Sequence, residues 1–472
     1  MIADLKPYAE YMESGLPWLG QVPEHWEMRP AFGAYVPNHE RNQGMKEKTV
    51  LSLSFGRIVI KSADKLHGLV PESFETYQVV NPGDIVLRTT DLQNDHRSLR
   101  VGMVRDRGII TSAYLALRAN AGVGPDFGFQ FLNVWDTSKA IYGYGSGLRQ
   151  NLDFSHFKRM PVAVPPPAEQ AAIVRFLDWA NGRLERAIQA KRKVIALLNE
   201  QKQAIIHRAV TRGLDPSVPL KPFGIPWLGE VPARWEVRPL KAVCEIQSGI
   251  TLGKDYSGQP TQEYPYLRVA NVQAGHAHLA VVKTIRVTKA EALRCTLHAG
   301  DVLMTEGGDP DKLGRGCVWN AQVAPCLHQN HVFAVRPDQS KLLPDYLSAL
   351  MGTRYARAYF ESTAKQTTNL AATNRTKIGQ FQVLLPTVDE QQRILSALSY
   401  ETGPVIAAIS RLEREIELLR EYRIRLVADV VTGKLDVREA ASRLPVEAPP
   451  DSVEDDTAQN DDLEDAGEEA AA

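Results

Sequence analysis

Two cysteines and two histidines, Cys317, Cys326, His328 and His331, crowd one short stretch of a 472-residue chain. Thiolate and imidazole are zinc ligands, but these residues lack metal-ligand spacing, and none of the four cysteines (Cys244, Cys295, Cys317, Cys326) forms a CxxC pair. They read as reduced thiols of a cytoplasmic protein. The heptapeptide GITLGKD, Gly249 to Asp255, is a near miss to a phosphate loop. Its spacing is short, and Asp255 stands where Ser or Thr should hold magnesium. HExxH and GxSxG are absent, as are the NPP[FY] and FxGxG signatures of an amino-methyltransferase. Carboxylates and lysines are plentiful, yet nothing gathers them as a nuclease cluster. No residue is assigned a catalytic or metal-binding role.

What the chain does carry is charge of one sign in one place. Residues 446–472 hold eleven acidic side chains and no basic one, leaving 45 acidic against 55 basic groups in residues 1–445, a formal +10. A basic body suits a polyanion partner. The tail has too little apolar surface to offset the entropy of ordering and is expected to be disordered. No apolar run is long enough to span a membrane, and MIADLKPYAEYMESG has no secretory pattern.

The elements that must position any binding residues are written twice. GLPWLGQVPEHWEMRP from Gly15 and GIPWLGEVPARWEVRP from Gly224 share eleven of sixteen residues, 209 positions apart. NPGDIVLRTTD, with Gly83-Asp84, is echoed by HAGDVLMTEGG, with Gly300-Asp301. VPPPAEQAAIVRFLDWA matches LPTVDEQQRILSALSYE, and TRGLDP matches TGKLDV, both offset by 221 residues. Trp18, Trp26, Trp227 and Trp235 read as core anchors of a duplicated domain. Short β-like runs punctuated by Gly, Pro and Asn make each segment before the helices a compact α+β globule.

The helical stretches carry a period of four and three. The first starts at Glu169, ends a short helix at Asn181-Gly182, then runs on through Leu184, Ile188, Lys191, Ile195, Leu198, Lys202, Ile205 and Ala209. The second breaks at Gly403, restarts at Pro404 and continues through Val405, Ile409, Leu412, Ile416, Leu419, Arg423, Leu426 and Val430. These are coiled-coil seams. They pair with each other or pack on their own domains, and their identical register favours pairing.

Residues 15–440 resemble the specificity subunits of type I restriction-modification systems. The carriers are the doubled PWLGxVPxxW phrase, the GD-[IV]-[VL] strand, the helix start at Pro165 to Gln170 and Pro386 to Gln391, and the exit at Thr211 to Asp215 and Thr432 to Asp436. The resemblance implies an α+β fold with two tandem target recognition domains (1–165 and 216–386). Each is followed by a long helical region (166–215 and 387–440), the two helices pairing as an antiparallel coiled coil; the acidic tail, 441–472, is not part of the resemblance. It implies a non-catalytic subunit that binds double-stranded DNA at a bipartite asymmetric site. Two methyltransferase subunits, and motor-nuclease subunits in the full complex, would supply adenine methylation or cleavage. S-adenosylmethionine, ATP and magnesium would sit on those partners, with no cofactor bound directly. A helical rod of about 28 residues spans roughly 42 Å, close to the ~34–36 Å between major-groove faces one turn apart.

If two domains read different bases, their readers should lie in equivalent polar loops that are not copies. After the GD strand these are Arg88, Thr89, Thr90, Arg97 and Arg100 in the first half, and Lys312 and Arg315 in the second. Before each helix they are Ser146, Arg149, Gln150 and Asn151, against Lys365, Gln366, Thr367 and Asn369. Lys254 and Arg268 are further candidates. Arg, Gln and Asn make paired hydrogen bonds to base edges, while Lys, Ser and Thr mostly grip phosphate. Other readings are a subunit of a methylation-only or related phage-defence complex, a coiled-coil scaffold whose globules bind protein, and a stand-alone nuclease or methyltransferase, against which the missing motifs argue.

Overall fold

In the computed structural model the described residues are 5–61, 73–90, 92–93, 99–144, 151–224, 228–308, 316–366 and 371–445. The candidate residues Arg97, Ser146, Arg149, Gln150, Lys312, Arg315, Thr367 and Asn369, and the acidic tail from 446, lie outside them. The chain forms two units that are not consecutive in sequence: residues 1–189 with 416–472, and residues 190–415. Each contains one α+β globule and a stretch of both long helices.

In the first unit a four-stranded antiparallel sheet runs in the order Tyr35–Pro37, Leu115–Ala119, Ile85–Leu87, Val101–Met103. Helix Pro125–Thr137 buries Phe127, Phe131, Leu132 and Trp135 in the adjoining core. In the second unit the sheet order is Cys244–Ser248, Val332–Pro337, Val302–Thr305, Gly316–Val318, again antiparallel, with helix Pro344–Met351. The repeat in sequence is therefore a repeat in topology. Strands Glu27–Pro30 and Glu236–Pro239, which end the two opening phrases, pair with Pro161–Val164 and Gln382–Leu385, which lead into the helices.

Each sequence motif closes a joint. The GD aspartates are buried and bind one arginine through both oxygens: Arg118 to Asp84 at 2.9 and 3.1 Å, Arg336 to Asp301 at 2.7 and 2.8 Å. The same carboxylates accept the Asn81 and His298 N–H groups at 2.9 and 2.8 Å, fixing the turn before each strand. The glutamines that start the helices are latches. Gln170 Oε1 accepts the Gly124 N–H at 2.7 Å while its Nε2 donates to Gly122 O and Pro165 O at 2.8 Å. Gln391 does the same with Leu343 N–H (2.8 Å), Lys341 O (2.7 Å) and Pro386 O (2.9 Å). The preceding glutamates take the tryptophans. Trp26 Nε1 donates to Glu169 at 2.9 Å, alongside Tyr8 hydroxyl at 2.6 Å and His25 at 2.8 Å; Trp235 Nε1 donates to Glu390 at 3.2 Å, alongside Arg234 at 2.8 Å. Trp26 and Trp235 are buried, and Trp18 is half-buried against Phe131; Trp227 lies outside the described residues.

The long helices, Pro167–Arg212 and Val388–Val431, run without interruption. The breaks expected at Asn181-Gly182 and at Gly403-Pro404 do not occur. Gly182 costs helix stability by about 1 kcal/mol, but Ala180, Leu184 and Ile188 on either side are buried, and each large apolar side chain so buried contributes about 1.5–3 kcal/mol. Pro404 removes the partner of the Tyr400 carbonyl; Tyr400 is 85% exposed, so water reaches that group. Within the second unit the helices are antiparallel: Lys191 pairs with Glu415, and Arg208 with Glu401 at 3.4 Å. Within the first, Glu185 pairs with Arg423 at 3.0 Å. Lys191 and Arg423, the polar interruptions of the two seams, are thus answered by glutamates. No helix among the described residues is long and apolar enough to cross a membrane.

The helix ends complete the globules. Val430 and Val431 join the core of Trp26, and Ala209 and Val210 that of Trp235. Beyond Val431 the chain turns at Gly433 (φ +74°), and Asp436 N–H donates to Lys6 O at 2.8 Å. A Cβ on Gly433 would stand 2.3 Å from Pro23 Cδ and 3.0 Å from the Trp26 ring. Gly433→Ala should therefore destabilise the protein by about 2–4 kcal/mol, combining left-handed strain with a clash against rigid neighbours. Gly143→Ala, with nothing within 4 Å of its Cβ, should shift the thermal midpoint little; comparison of the two midpoints is the check.

His328 is fully buried, its Nδ1 donating to Val332 O at 2.6 Å, and burial pushes its imidazole down to about 4. Unfolded, the ring takes up a proton near pH ~6.5. The unfolded state therefore binds the extra proton between these values, and the stability present above ~6.5 is lost as pH falls towards about 4. Urea unfolding across that window should show a slope about 1.4 kcal/mol per pH unit shallower in His328→Gln than in the native chain.

Candidate nucleic-acid interface

The polar loops singled out in the sequence are brought together by the same backbone bond in each unit. In the first, the Leu152 N–H donates to Thr89 O at 2.8 Å, joining the loop after the GD strand to the segment before the helix. In the second, the Thr373 N–H donates to Glu306 O at 2.7 Å, at the equivalent positions. The second unit extends this joint into a small sheet, Gly307–Gly308 on Ala371–Ala372 on Lys365–Gln366. Loops separated by more than sixty residues thus form one edge.

In the first unit that edge has an internal strut. Arg100 is fully buried, and its guanidinium donates to Arg88 O (3.2 Å), Thr90 O (2.9 Å) and Tyr142 hydroxyl (3.3 Å). Its own N–H donates to Asp136 at 2.6 Å, and its charge lies 5.5 Å from the Tyr142 ring centre. Arg100 was expected to contact DNA; its side chain is enclosed here and holds the loop that carries Arg88 and Thr90. Thr89, a candidate of the same loop, is buried, its hydroxyl donating to Ala113 O at 3.3 Å. Arg88 and Thr90 are half-buried, and Asn151 is exposed beside Leu152.

In the second unit the glycine loop joins the edge. Ile250 N–H donates to His328 O, and Asn330 N–H returns to Ile250 O, both at 2.8 Å. Gln329 N–H donates to Leu267 O at 2.9 Å, which sets Arg268 beside this turn, and Glu306 N–H donates to His331 O at 2.9 Å. Glu306 and His331 also pair through their side chains at 2.5 Å. His331 was weighed in the sequence only as a zinc ligand; its position follows from strand pairing that no local signal announces. Lys254 is engaged within its own globule. Its ammonium binds Glu291 at 3.0 Å, with Tyr256 hydroxyl donating to the same oxygen at 2.6 Å. Burial opposes ionisation of Glu291, but these hydrogen bonds outweigh it and hold the carboxyl below its usual range. Arg268 is half-buried, and its Nε is enclosed without a hydrogen-bond partner among the described residues. Lys365 and Gln366 are placed by their backbone in the small sheet.

Cys317 and Cys326 lie among apolar side chains, and burial pushes their thiols up to about 11 and about 12. Among the described residues no group of His, Cys, Asp and Glu is gathered to hold a metal ion.

Comparison with known proteins gives this geometry a lineage. Residues 232–418 match the type I restriction modification DNA specificity domain. The MjaX specificity subunit of Methanocaldococcus jannaschii is 25% identical over 209 residues, 43% of this chain and 47% of that protein. The EcoKI specificity subunit of Escherichia coli is 22% identical over 308 residues, 60% of this chain and 63% of that protein. The chain thus spans about half and under two thirds of these relatives' lengths. A solved structure from work on complex assembly and conformational transition of the type I R-M system, 16% identical, covers 88% of this chain and 99% of its own with a TM-score of 0.57, and shares the fold. The specificity-domain match lies on the second of two topologically repeated globules, and in sequence and fold the chain is similar to type I restriction-modification specificity subunits.

Proposed function

We propose that the chain is the sequence-reading subunit of a type I restriction-modification complex, each globule reading one half of a bipartite, asymmetric site in double-stranded DNA. The observation that carries this is the duplicated joint, Leu152 to Thr89 and Thr373 to Glu306. It presents two non-identical polar edges on two copies of one scaffold, which is what reading two different words requires. The formal +10 of residues 1–445 supplies the attraction to phosphate that base readout needs as its foundation.

The chemistry belongs to partners. Two methyltransferase subunits would bring S-adenosylmethionine, and motor-nuclease subunits ATP and magnesium, in the cytoplasm where the DNA is. Apolar side chains left exposed on the long helices support such docking: Val194, Leu197, Tyr400 and Ile406 in the second unit, Leu418, Tyr422 and Ile424 in the first.

Methylome sequencing of host cells with the gene intact or deleted tests the reading. Deletion should erase one bipartite adenine-methylated motif; an unchanged methylome would sink it. Binding of the purified complex to that motif should weaken by about 10³-fold or more between ~50 and ~200 mM salt, whereas a protein-binding scaffold would show no such dependence.

A further inference from the structure

One element of the first unit, absent from the candidate residues above, has the form of a DNA reader. Strands Leu51–Ser54 and Arg57–Ile60 make a hairpin whose register, Ser54 opposite Arg57, leaves a two-residue turn, Phe55-Gly56. Both turn residues are left-handed, Phe55 at φ +44° and Gly56 at φ +76°. Such a turn favours Asn-Gly or Asp-Gly, because a bulky side chain is strained at positive φ. Phe55 is nevertheless there, 53% exposed, and its ring makes no aromatic or cationic contact among the described residues. Neither local conformation nor core packing accounts for it.

The rest of the hairpin fits the same use. One face is structural: Leu53 and Ile58 lie directly over Gly102, where a Cβ would stand 2.5 and 3.0 Å from their methyl groups. The opposite face, set by the pairs Ser52–Val59 and Ser54–Arg57, carries two hydroxyls and a guanidinium. The tip abuts the loop edge already described. Gly56 sits against Leu99, with its Cβ position 3.1 Å from Leu99 Cβ, and Leu99 immediately precedes the strut Arg100.

We infer that this hairpin is a base-reading ribbon of the first recognition domain, lying in the major groove with Phe55 in apolar contact with a base and Ser54 and Arg57 facing base edges. A two-stranded ribbon fits that groove, and Phe, Ser and Arg are side chains that meet thymine methyl groups and hydrogen-bonding edges there. The strain at Phe55 is tolerated because the ring is needed at the tip. The inference rests on the proposed function and names the element that performs it in one half-site.

Phe55→Asn is the informative variant, because Asn before Gly suits this turn. With the full chain in complex with its methyltransferase subunits, the thermal midpoint should hold or rise. Affinity for the bipartite motif should fall roughly 10- to 100-fold while binding to unrelated DNA is unchanged. Base-pair substitutions in one half-site, and not in the other, should lose their penalty in the variant. Unchanged affinity for the motif, or equal loss on specific and unrelated DNA, would overturn the inference. A native complex with no sequence preference would instead overturn the proposed function itself, so the two failures are distinguishable.

Discussion

The fold turns on a carboxylate at the first turn of each long helix that must be satisfied away from water. Glu169 and Glu390 are both buried, and an unpaired buried charge is costly. The N-terminal end of a helix favours a negative group, and in each unit the indole of the opening phrase donates to it. That one hydrogen bond fixes where a globule meets its helix. The neighbouring glutamine then takes the loop before the globule's own helix, Pro125–Thr137 or Pro344–Met351, and the GD aspartate clamps the sheet. The same requirements applied twice give the same topology twice.

Around this shared frame the two units have drifted where they are free to. His25 and Tyr8 help neutralise Glu169, whereas Arg234 serves Glu390. Burial, with Glu169 next to it, pushes the Tyr8 phenol well above its ordinary range, so it remains a donor. The regions that differ most are the inserted strands. The first unit has the 51–60 hairpin; the second has the longer pair Thr261–Leu267 and Lys283–Thr288 with helix Lys289–Cys295. Neither insertion disturbs the motif residues, which is how one scaffold can present different surfaces.

The frame was legible in the sequence because its motifs are local and doubled: PWLGxVPxxW, the GD turn, EQ at the helix start and Thr-x-x-Leu-Asp at the exit each sit within a few residues. The seams were legible because period survives without context. Helix continuity was not, since Gly182 and Pro404 are breakers by propensity, and what overrides them, the burial of Ala180, Leu184 and Ile188 in one case and the exposure of Tyr400 to water in the other, shows only in the folded chain. Nor was the role of Arg100, whose identity suggests a phosphate contact until its burial against Tyr142 is seen. Phe55 escaped for a related reason. LSLSFGRIVI reads as an ordinary apolar strand unless the turn at Phe55-Gly56 is recognised, and Phe is not the residue that signals such a turn.

The non-consecutive units bear on how the chain is made. Residues 190–415 contain everything the second unit needs, so it can close while the ribosome is still at work. The first unit cannot, because Leu426, Val427, Val430 and Val431 belong to the core of Trp26. At ~5–20 residues per second that wait is on the order of 10–50 s. The usual order of synthesis is inverted: the domain written first is finished last, and until then its apolar core lacks one wall.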